Sequence, residues 1–196
     1  MLRQQLDTVN IRVHHVAAEV TPELMTARAA PGANPVGFLL WHMARAQDWG
    51  LNTVVRGVPE VVHRPPWATT AVATAPGTGT GFGPDEVREI AASLELAEVV
   101  AYADAVHRSA LDWVAQATEA DLDAMPAVDV HNAGYPEYQR REFLEEMNSG
   151  PERNAAIAAT GGAPAWLYLT SVCVTHMHRH LGELDLTLGV LTGRAG

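Results

Sequence analysis

The sequence predicts an all-α protein, a four-helix bundle with long connecting loops. Four segments carry apolar residues at three- and four-residue steps. Glycine and proline break the chain between them, and no segment alternates apolar and polar residues as a half-buried strand would.

The first helix is expected over residues 2–20, where Leu2, Leu6, Val9, Val13, Val16 and Val20 form one stripe. Thr21-Pro22 ends it, and AAPGANP (29–35) reads as a loop. Asn34 is then the expected N-cap and Pro35 the first residue of a second helix running to Arg56 and stopping at Gly57. Residues 57–83 hold Pro59, Pro65, Pro66 and Pro76 and end in GTGTGFG. Without a lysine or a preceding strand those glycines read as flexible loop rather than a phosphate cradle. Pro84-Asp85-Glu86 restarts a helix with acids in its first turn. Ser93 is the expected cap of a longer piece, 94–117, whose apolar face reads as Leu94, Ala97, Ala101, Ala105, Leu111 and Val114. Residues 121–162 are broken by Pro126, Gly134 to Pro136 and Ser149 to Pro151, with one short helix expected over 136–147. The final helix is expected over 163–191, ending at Gly193. The whole, 1–196, reads as one domain with no internal repeat.

The formal charge of −10 argues against a phosphate backbone as partner; Arg140-Arg141, the nearest thing to a basic patch, lies beside Glu142, Glu145 and Glu146. All thirteen basic residues are arginine, so no lysine Schiff base can form. With abundant Ala, Gly, Val and Pro, this is the bias of a GC-rich genome of actinobacterial type. Cys173 is the single cysteine, which fits a reducing compartment. No signal peptide or spanning segment is legible, so a cytoplasmic protein without nucleic-acid or membrane partners is expected.

The chemistry sits in Thr175-His176-Met177-His178-Arg179-His180-Leu181-Gly182-Glu183. Residues four apart on a helix lie about 40° apart around the axis and roughly 6 Å along it, so His176 and His180 can serve one ion while His178 points away. A divalent ion needs a third ligand. His42, in the apolar run Phe38-Leu39-Leu40-Trp41-His42-Met43, is the best third donor, since a buried imidazole needs a partner. Spacing alone leaves a plain reading open. Nine histidines make one such pair by chance, and a core histidine is commonly bonded to a carbonyl. His14, His15, His63, His107 and His131 have no ligand spacing.

Gly37 to Arg45, Asp48-Trp49 and His176 to Glu183 resemble the DinB-like superfamily, which includes mycothiol-dependent maleylpyruvate isomerases and bacterial thiol S-transferases. The resemblance implies a four-helix bundle and a divalent ion, zinc most often and nickel sometimes, on His42, His176 and His180. It implies a small-molecule substrate and a low-molecular-weight thiol, here mycothiol, activated as the thiolate. Glu183 and Asp48 are the expected supporting groups, able to orient a ligand ring or accept a proton; surface ion pairs with Arg45 or Arg179 are the plain alternative. A hydrolase or isomerase using bound water, a non-catalytic metal-binding stress bundle, perhaps a homodimer, and a metal-free interaction domain are competing readings. Trp41, Trp49 and Trp166 are expected in the core or pocket wall, and Cys173 as a buried thiol.

Overall fold

The computed structural model describes residues 1–125 and 163–193. Among these the protein is all-α, with no strand. The helices are α1 (Leu2–Ala17), α2 (Val36–Asp48), α3 (Pro84–Ser93), α4 (Leu96–Gln116), α5 (Glu119–Asp123), α6 (Ala165–Thr170) and α7 (Met177–Thr192). Wider π-helical turns extend α2 through Trp49–Val55 and join α6 to α7 through Ser171–His176. The helix expected over 136–147, and Arg140-Arg141, lie outside the described residues. No described helix is long and apolar enough to cross a membrane.

Each of α1 and α2 packs against both α4 and α7. The α1 stripe enters the core as expected, with Leu6, Val9, Val13 and Val16 buried. Helix α2 is buried along its entire length. Trp41 and Trp49 are enclosed, and burying one such side chain contributes roughly 2–3 kcal/mol. Trp166, expected inside, is 45% exposed.

Several local expectations are corrected. Asn34 does not cap α2, because the first free amide, Val36 N–H, already donates to Ala27 O (3.1 Å) and Pro35 fills the cap position. Ser93 caps nothing, as its hydroxyl turns back to Ile90 O (2.9 Å) and α4 begins only after Glu95. The buried face of α4 is Val99, Tyr102, Val106 and Ala110, while Ala97 and Ala101 are exposed. Alanine fits either face, so the larger side chains set the phase. The close of the molecule follows the sequence, with α7 ending at Gly193 in the left-handed region (φ 70°).

The largest correction concerns residues 57–83. This segment is a strap docked along α2 through three short 3₁₀ turns, with Val61, Val62, Val72 and Thr78 buried. Asp48 accepts from the backbone amides of Val61 (2.9 Å) and Val62 (3.0 Å), from Asn52 (2.7 Å) and from the Tyr102 hydroxyl (2.6 Å). Arg45 donates to Gly77 O (2.9 Å) and Glu60 (2.7 Å), and Trp41 donates to Val72 O (2.9 Å). Gly79, at φ 89°, lies so close to α2 that a Cβ there would meet Trp41 at 2.7 Å and Phe38 at 3.0 Å. The glycines that suggested flexibility permit this contact instead.

Candidate metal centre

Helix α2 and the junction of the second π turn with α7 bring His42, His176 and His180 together, each buried. His42 Nε2 lies 3.2 Å from His176 Nε2, which lies 2.9 Å from His180 Nε2. The three rings meet edge to face, at centroid distances of 4.5–5.1 Å. His178 is exposed, as the helical phase requires.

The protons on these rings are set by their outer nitrogens. Nδ1 of His42 faces the carbonyl of Thr78 at 2.8 Å, and a carbonyl only accepts, so Nδ1 carries the hydrogen and Nε2 a lone pair. Nδ1 of His180 faces Glu183 Oε2 at 2.9 Å with the same consequence. Two lone pairs thus face His176 Nε2, which has at most one hydrogen to offer them, and Arg179 Nη2, 3.2 Å from His180 Nε2, donates to the second. A cation at the shared focus would accept all three Nε2 lone pairs in place of these contacts. Three nitrogens bound to zinc at 2.0–2.1 Å in tetrahedral geometry sit about 3.3 Å apart, and the observed spacings are close to this. The donor set therefore fits one divalent ion, and the three ligand atoms all lie within 4.8 Å of one another.

The electrostatics agree. Burial, followed by the neighbouring His180 and Arg179, holds the His176 ring well below the ordinary histidine range, so it stays neutral and able to ligate. The hydrogen bond from His180 holds the Glu183 carboxyl below its usual range despite partial burial, which keeps it an acceptor. Phe38 stacks on His42, with planes 7° apart. Beside the cluster opens a cavity of about 190 Å³ reached past His42 and His180 and walled by Asn34, Phe38, Thr80, Phe82, Val87 and Arg179.

Glu183 thus lies where the sequence suggested, against a candidate ligand. Asp48 lies elsewhere in its contacts: its hydrogen-bond partners are Asn52, Val61, Val62 and Tyr102, and Arg45 stands 4.0 Å away. Arg45 pairs chiefly with Glu60. Burial would depress its pKa, but Tyr102, Glu60 and Asp48 together raise it above the ordinary value. The same burial, with Asp48 beside it, raises the Tyr102 hydroxyl well above its usual range. Cys173 is buried, its sulfur 3.9 Å from Gln47 O. His14 and His107 pair with Asp104 and Asp7, away from the centre. Thr78 was not legible as a functional residue, because its contribution is a backbone oxygen. The glycines on both sides of it were the one signal.

No curated protein matches the sequence. The sequence profile of the DinB superfamily matches residues 5–184. With His42, His176 and His180 all inside that span, which takes in most of the chain, the chain belongs to the DinB superfamily.

Proposed function

We propose that His42, His176 and His180 hold one divalent ion, zinc or else nickel, and that the protein is a metal-dependent enzyme transferring a low-molecular-weight thiol of mycothiol type to an electrophile. The observation that carries this is the convergence of imidazole lone pairs on one point beside an open cavity. The ion, when bound, supplies a Lewis acid beside which a thiol loses its proton near neutral pH.

The chain's own residues do the rest. The Thr78 carbonyl and Glu183 fix the ring orientations of His42 and His180, leaving both Nε2 atoms as donors. Glu183 serves as an orienting carboxylate rather than a proton donor, since the His180 contact keeps it ionised. Phe38, Phe82 and Val87 give the cavity an apolar wall that limits water at the ligand cluster. Asp48 supports the site indirectly, by anchoring the strap whose far end carries Thr78.

Metal analysis of tag-free protein tests the first part. About one equivalent of a divalent ion is expected, with His176→Ala and His180→Ala each losing most of it. Equal occupancy in the wild type and both variants would refute it. Turnover of an electrophile with and without added mycothiol tests the second part; turnover independent of thiol would move the reading to a water-using hydrolase or isomerase.

A further inference from the structure

The cavity beside the histidines has an uneven charge. Among the described residues Arg179 is the one charged side chain in its wall; the other polar groups there are Asn34, Thr80 and the two imidazoles. Among the described residues no carboxylate lines it. The nearby acid, Glu183, is engaged with Nδ1 of His180, on the side of the ring away from the cluster. On a chain of formal charge −10, this is a local inversion of sign.

The position of Arg179 sharpens the point. Its Nη2 lies 3.2 Å from Nε2 of His180, the same nitrogen that stands 2.9 Å from His176 Nε2. The guanidinium therefore donates to a lone pair that is also a candidate metal donor. One lone pair cannot serve both, and two positive groups repel. With an ion on the three imidazoles, the exposed, many-jointed Arg179 side chain must leave His180, and the cavity mouth it already lines is the adjoining space. The pocket then has a cation at its floor, a planar five-donor cation at its mouth, and Phe38, Phe82 and Val87 between them.

We infer that the co-substrate taken by this cavity is a small organic acid, a carboxylate on a compact apolar or aromatic body, with Arg179 as the residue that recognises the carboxylate. This rests on the metal reading above. It adds the class of electrophile that the thiol meets: a guanidinium fork matches a planar carboxylate, and the phenylalanine walls match the body.

The test uses cobalt-loaded full-length protein, whose visible bands report the ion and whose titration reports ligands. Benzoate is compared with benzamide, which has the same shape without the charge. Benzoate is expected to bind about tenfold or more tighter, and Arg179→Gln to remove most of that preference while cobalt affinity holds or rises. Arg179→Lys, keeping the charge without the fork, should fall between. If cobalt gives no site-bound bands, or bands that survive His176→Ala unchanged, the metal reading fails and this inference with it. If cobalt binds and benzoate shows no preference, or its preference survives Arg179→Gln intact, the inference alone is overturned, since the ion by itself then holds the anion.

Discussion

Helix α2 carries two buried polar clusters within two turns of each other, and they are completed in opposite ways. Around Asp48, Arg45, Glu60 and Tyr102, every charge meets a partner from the same chain, at 2.6–3.0 Å. Around His42, His176 and His180, ring nitrogens converge on one another with Arg179 beside them, in an arrangement that also fits one cation. Buried polar groups are costly unless matched. The first cluster is matched by folding alone, and its product is structure. The second, on the proposed reading, is matched by a cation from outside, and its product is chemistry.

The comparison can be broken most forcefully at Asp48. Asp48→Ala removes the acceptor for two amides, an asparagine and a tyrosine, and leaves the arginine with less compensation. A loss of about 3–5 kcal/mol in urea unfolding is expected, present equally with and without metal. A loss seen only with metal would place Asp48 in the second cluster after all.

Acid and base separate the clusters next. His176 has a folded pKa held down, so the unfolded chain takes up protons first as pH drops below about 6.5. Metal-free protein therefore loses stability across that window until the folded ring also protonates. His107, held down by burial although Asp7 opposes this, adds to the same limb. Tyr102 is the reverse: its folded pKa is raised, so its contribution is present below about pH 10 and lost as pH climbs above the unfolded value. Unfolding midpoints measured across pH should fall at both ends, by at most about 1.4 kcal/mol per unit for each group. His176→Asn should flatten part of the acid limb, and Tyr102→Phe the alkaline one.

A smaller effect is expected at Glu183. Glu183→Gln keeps an acceptor near His180 Nδ1 but removes the charge, so metal affinity should fall about 10–100-fold with little change in metal-free stability. A competition titration against a chelating dye reads this directly. The smallest change is assigned to His178→Ala, which should alter neither metal content nor melting temperature, since that ring is exposed. A loss matching that of His176→Ala would mean the helical phase is misread.

Much of this was legible in the sequence, because periodicity reports burial. The α1 stripe, the breaks at Gly57 and Gly193, and the facing of His176 and His180 follow from 3.6-residue geometry. His42 stood out as a polar residue in an apolar run. What stayed hidden rests on backbone groups or on small residues. The Thr78 oxygen has no side-chain signature, Ala97 and Ala101 suit either face of α4, and the π turns differ from α turns by a shift in hydrogen bonding that composition does not record. The Asp48 contacts escaped because their partners lie 13, 14 and 54 positions along the chain.

The second π turn has one more consequence. It closes at His176, directly ahead of the four-residue step to His180, and it packs against the first π turn, where Gly50 lets the chains approach until a Cβ would stand 2.8 Å from Val172. Because a π turn takes an extra residue to come round, the segment upstream of it and the segment carrying the imidazoles keep independent angular settings along one unbroken rod. The close approach at Gly50 and Val172 and the spacing of the ligand pair are thereby set by different turns of the rod. Changes that retune that approach need not rotate one imidazole relative to the other.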